Sequence, residues 1–132
     1  MQTTKILSSI ALLFGLILFL SFTAHSPQSD NKKADNNGKV GNLSVTPVTF
    51  SRLDLTWDAV ASVTGYKVYR GSTKGFTAGD ENLVAISKTS SYANRELSPS
   101  TTYYYRVRSF SANMEGDLSA EAAGTTKHKD LA

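Results

Sequence analysis

The chain of 132 residues contains no cysteine, only two histidines, His25 and His128, and only three prolines. Without cysteine there are no disulfides and no thiolate metal sites, so a folded body must be held by its core alone. With one histidine near each end, a histidine-based nucleophile relay or a histidine metal cluster has no members. Charge of either sign is also sparse. The formal net charge is +3, and setting aside Lys5 in the apolar leader leaves 13 basic against 11 acidic residues, or +2. Nucleic-acid binding requires a dense basic stripe, and this sequence has none. Glycines 71, 75 and 79 are irregularly spaced and precede no helical pattern, so they form no phosphate cradle.

Carboxylates are the remaining catalytic candidates. Asp54 and Asp58 flank a tryptophan, Asp80 and Glu81 sit in a long glycine-containing segment, and Glu115 and Asp117 lie in "NMEGD". Each reads most simply as a solvated loop or strand charge. No catalytic, cofactor-binding or metal-binding residue is assigned, and an enzyme is not expected.

One long apolar run is present. "MQTTKILSSIALLFGLILFLSFTAHS" has a single cation, Lys5, and is almost purely apolar from Ile10 to Leu20. That is the layout of an export signal. Ala24-His25-Ser26 supplies small residues for cleavage, but Pro27 would follow the cut unfavourably. Residues 6–22 are nearly long enough to span a bilayer, so residues 1–25 read as either a signal peptide or a hydrophobic helical anchor. Both readings place the body outside the cytoplasm, extracellular or periplasmic, with membrane contact only through this segment. Residues 26–41, "SPQSDNKKADNNGKVG", are too polar to offset ordering entropy and read as a flexible linker. Such a linker spans on the order of 20–25 Å. Asn42-Leu43-Ser44 matches a glycosylation acceptor, relevant only in a eukaryotic secretory pathway.

From residue 42 to 127 the pattern is period two. "RLDLTW" sets Leu53, Leu55 and Trp57 on one face and Arg52, Asp54 and Thr56 on the other. "GYKVYR" sets Tyr66 and Val68 against Lys67 and Tyr69, and "TYYYRVRSF" sets Tyr103, Tyr105 and Val107 against Tyr104, Arg106 and Arg108. With the shorter runs "NLVAIS", "SSYANREL" and "LSAEAAGTT", about seven strands predict an all-β, two-sheet antiparallel sandwich, ending in a tail at residues 128–132.

This body resembles a fibronectin type III domain. Trp57 ends the second strand and Tyr66 opens the third. "LSPSTTYYYRVRS" carries the family's Leu-x-Pro-x-Thr-x-Tyr corner followed by x-Tyr-x-Val. "VYRGSTKGF" and "TTYYYRV" are similar to copies in exported bacterial polysaccharide-degrading and surface proteins. An immunoglobulin domain would show an inter-sheet cysteine pair. The resemblance implies a core marked by Trp57, Tyr66, Leu97, Tyr103, Tyr105 and Val107. Trp57 would lie between the sheets, and Tyr103 would turn inward at the corner with its hydroxyl bonded to upstream backbone. It also implies neighbouring third and sixth strands, which would place Lys67, Tyr69, Tyr104, Arg106 and Arg108 on one outward face. A basic face with two phenol rings suits an anionic or carbohydrate polymer, and equally suits plain cross-strand packing. "SANMEGD" lacks Arg-Gly-Asp, so integrin-type adhesion through that tripeptide does not carry over.

The expected role is a non-catalytic exported interaction module with a protein or glycan partner at the cell surface. The loops at residues 71–82 and 111–117 are the expected contact points. The alternative is a structural spacer or self-assembling subunit that pairs through the short final strand. Oligomeric state is open.

Overall fold

The computed structural model describes residues 37–130. The expected signal peptide or anchor, its hydrophobic helix and residues 26–36 of the expected linker lie outside the described residues. Among the described residues no helix is long and apolar enough to cross a membrane.

Eight strands form: β1 (Ser44–Thr49), β2 (Arg52–Thr56), β3 (Gly65–Gly71), β4 (Leu83–Ser87), β5 (Ser91–Asn94), β6 (Thr102–Ser111), β7 (Met114–Glu115) and β8 (Ala122–Thr125). The two-residue β7 is the strand that periodicity could not detect. Sheet one has the order β1-β2-β5, and sheet two the order β4-β3-β6-β7 with β8 also paired to β6. Every pairing is antiparallel. Among the described residues, helical ones are confined to one 3-10 turn, Asp80–Asn82, inside the long segment after β3.

The inward faces match the alternation of the sequence. Leu53 and Leu55 of β2, Val68 of β3, and Tyr105 and Val107 of β6 are buried in one cluster with Trp57, Tyr66 and Leu97. Trp57 is 6% exposed, and its ring meets Tyr66 edge-on at 5.4 Å and 67°. Burying ~150–250 Å² of indole contributes roughly 4–6 kcal/mol before entropy. Tyr66 is also fixed at its polar end, because the Val60 N–H donates to its hydroxyl at 2.8 Å. Gly124 of β8 leaves no room for a Cβ against Val45, so a side chain there would push the two sheets apart.

The corner forms as expected. Tyr103 is half-buried and packed against the core, and its hydroxyl accepts from the Ser98 N–H at 3.0 Å. Thr126 reinforces it, its hydroxyl donating to the Ser98 carbonyl at 2.6 Å while its own N–H donates to the Thr101 carbonyl at 3.0 Å.

Two further features were not legible in the sequence. Val40, placed in the linker, is 1% exposed and belongs to the core. Asn37 to Gly41 are therefore part of the body. The Gly38 carbonyl accepts from Ser109 Oγ at 2.5 Å, and the Gly41 carbonyl accepts from the Asp58 N–H at 3.0 Å. The linker boundary is thus corrected, since polar neighbours masked one deeply inserted valine. The second feature is a polar cluster between the sheets. Buried Asn94 of β5 donates from Nδ2 to the Tyr105 hydroxyl at 2.7 Å, and Arg70 Nη1 donates to Asn94 Oδ1 at 3.4 Å. Arg70 also stands 5.2 Å over the Tyr103 ring. Burial pushes the Tyr105 hydroxyl up to about 12, so it stays neutral at any ordinary pH.

Removing the Tyr105 hydroxyl strands the buried Asn94 amide. Tyr105→Phe should cost about 1–3 kcal/mol, and Val40→Ala about 2 kcal/mol, in urea unfolding. A Val40→Ala variant as stable as the parent would return residues 37–41 to the linker.

Candidate functional site: the outer face of the five-stranded sheet

Residues of β3 and β6 pair as Lys67 with Arg108 and Tyr69 with Arg106, so the cross-strand neighbours expected from the sequence do stand side by side. Tyr104 lies further along β6, opposite Gly71. What differs is the environment of this face.

Tyr69 is buried, at 5% exposure. A ring so covered offers no surface for stacking, and its place in the recognition face is corrected. Two local causes combine. The register between β3 and β4 breaks between Val68 and Tyr69, an irregularity that sets Tyr69 opposite Leu83. The segment after β3 then folds back, with the 3-10 turn against β3. That segment is pinned by its own contacts. The Gly75 N–H donates to Glu121 Oε2 at 2.8 Å, and the Phe76 ring fills the space beside Gly71 and lies 6.0 Å from the Arg106 guanidinium. The segment's close is fixed by Asn82, whose Oδ1 accepts from the Gly79 N–H at 2.8 Å and whose Nδ2 donates to the Thr77 carbonyl at 2.9 Å. The Gly71–Asn82 loop is an ordered flap.

The three cations are each matched by a carboxylate. Glu115, brought in by β7, pairs with both Lys67 and Arg108, the latter at 2.9 Å. Glu121, just before β8, lies 3.8 Å from Arg106 Nε. The Phe110 ring sits beneath Lys67 at 5.9 Å. A face that reads as basic in the sequence is therefore a nearly balanced lattice of ion pairs with one half-buried phenol, Tyr104. Glu115 appeared in the sequence as a solvated loop charge. Its role depends on the short hairpin at residues 111–115, which periodicity does not reveal.

The hydrogen bonds from Lys67 and then Arg108 hold the Glu115 carboxyl below its ordinary 4.5. The same contact with Glu115 raises Lys67 above its ordinary 10.5. Three further candidate carboxylates are tied into the fold. Asp54 receives a two-pronged bond from Arg52, at 2.6 and 2.7 Å, Asp58 accepts from Asn42 Nδ2 at 2.7 Å, and Asp117 accepts from Asn37 Nδ2 at 3.3 Å. Among the described residues no three histidine or acidic side chains gather into a metal-binding group.

Comparison with known proteins decides the family. Residues 38–125 match the fibronectin type III domain. The chain belongs to the fibronectin type III family. A fibronectin type III domain is typically a non-catalytic module. An alpha-amylase from Niallia circulans is 33% identical over 88 residues, covering 64% of this chain and 6% of the amylase. Exoglucanase B from Cellulomonas fimi is 38% identical over 82 residues, covering 60% of this chain and 6% of the exoglucanase. The chain thus spans only a small share of these relatives. Among solved structures, a Fn3-like protein from Clostridium thermocellum superposes with a TM-score of 0.57 at 26% identity, covering 70% of this chain and 94% of that one.

Because the Glu115 carboxyl is held below its unfolded value, the folded state gains from it above about pH 4.5. That gain disappears as pH falls through the depressed value. The Lys67 side works in the opposite sense, present below 10.5 and lost as pH rises through its raised value. An NMR titration should find the Glu115 midpoint below 4.5, and Arg108→Met should move it up toward that value. A midpoint already at the ordinary value would remove the ion-pair lattice from the account.

Proposed function

We propose that this chain is an exported, non-catalytic interaction module that presents the outer face of its five-stranded sheet to a protein partner at the cell envelope. The observation that carries this reading is the lattice of Lys67, Glu115, Arg108, Arg106 and Glu121 across β3, β6, β7 and the approach to β8. Carboxylates hold the cations in fixed positions, so a partner meets them with little further ordering. Mixed charges beside Tyr104 and Ile86 suit a protein surface, where aromatic and arginine side chains are favoured. Glycan stacking is the weaker reading, since burial of Tyr69 leaves Tyr104 without a second ring.

Export rests on the leader sequence. It is supported by relatives named as an amylase and an exoglucanase, whose polymeric substrates are too large to enter a cell. The same relatives favour a second reading, a spacer, because the matching stretch is a small share of long enzymes. Mechanically the module would then separate other parts without binding. No nucleic-acid partner is proposed.

The double variant Tyr104→Ser, Arg108→Ser removes two half-buried side chains from outside the core and should stay folded, unfolding within about 2 kcal/mol of the parent. It should retain less than a fifth of the parent's capture of cell-envelope proteins, and neither form should sediment with insoluble glucan. Equal capture by parent and variant would leave the spacer reading. Cosedimentation of the parent with glucan that the variant loses would restore the glycan reading.

A further inference from the structure

The strands that end a sheet leave backbone N–H and C=O groups free on one side, and most such edges here are guarded. β1 carries Pro47 and a register break before Thr49, β7 has only two residues, and β5 has four and runs directly into Arg95-Glu96. The final strand, β8, also bonds on one side only, to β6, but its four residues are packed against β1. β4 is the exception. "LVAIS" has neither charge nor proline and, among the described residues, pairs only with β3 and exposes Ile86 at 61%, the most exposed large apolar side chain there.

We infer that the free edge of β4 pairs antiparallel with β4 of a second copy of this chain, about a two-fold axis at Ala85. Val84 packs inward against the core, but with the axis at Ala85 the exposed Ile86 of each copy lies on the same face and on a diagonal of the seam, so the two isoleucines cover each other. The same register sets Lys88 against Asn82, next to Asp80 and Glu81 of the 3-10 turn. The strand is thus flanked by a basic residue on one side and an acidic turn on the other, and the antiparallel arrangement brings unlike charges together at both ends. Parallel pairing would set Lys88 against Lys88. The irregularity at Val84, where β4 shifts register against β3, twists the Leu83 end and confines the regular seam to a few residues. Association is accordingly weak and grows with the local concentration of the chain. The seam is made by backbone groups at the edge, and Ile86, opposite Lys67, is the residue it shares with the sheet face.

The absence of cysteine makes a direct test available in the full-length chain. Ile86→Cys introduces a single thiol, and in this register the two thiols lie on a diagonal of about 7–8 Å, within reach of a short bis-maleimide. The expected result is a covalent dimer whose yield rises with protein concentration, while Thr46→Cys on β1 gives none. Adding Lys88→Glu should lower the yield about threefold or more, and combining it with Asp80→Lys and Glu81→Lys should restore it. An Ile86→Cys chain that stays monomeric, or a yield indifferent to Lys88→Glu, overturns the proposal. Circular dichroism on each variant confirms that the sandwich is retained, and a variant that has lost it is replaced by Lys88→Gln.

Discussion

The rest of the structure depends on how one indole is enclosed. Trp57 leaves the end of β2, crosses the gap between the sheets and meets the edge of Tyr66 at the start of β3. It shares one buried cluster with Val40, Leu55, Val107 and Leu97, which come from the amino-terminal approach, both sheets and the corner before β6. With no disulfide to join the layers, this apolar contact is what sets their spacing. Backbone bonds then close the ends: Trp57 N–H to the Ser90 carbonyl, and Lys127 N–H to the Thr49 carbonyl.

The outer face follows from that enclosure. Once Tyr66, Val68, Tyr105 and Val107 are committed inward, strand geometry turns Lys67, Arg106 and Arg108 outward on adjacent strands. Three cations so close would repel one another, and the chain answers with Glu115 and Glu121 from the segment after β6. Exposed pairs of this kind add little stability. Their effect is to fix long side chains in place, which suits a recognition surface.

Much of this was legible in sequence because period two is a strong signal where one face is buried. "RLDLTW" and "TYYYRVR" assign their inward residues correctly, and the Leu97–Tyr103 spacing announces the corner. The failures share a cause, which is dependence on distant chain segments. Tyr69 alternates outward as read but is buried, and the segment that follows its strand is tied through Gly75 to Glu121, 46 residues away. Val40 sits in a polar stretch and is buried by strands that lie far along the chain. Glu115 becomes a counter-ion only through a two-residue strand, and Asn94 becomes an inter-sheet partner only because Tyr105 reaches it.

The single tryptophan allows a measurement that reports on one site without labelling. Native fluorescence should be blue-shifted and resistant to iodide quenching, and should move to a water-like emission in one cooperative urea transition that coincides with loss of the β-sheet circular dichroism. A native emission already resembling free indole in water, or a tryptophan transition preceding loss of the sheets, would contradict a sandwich organised around Trp57.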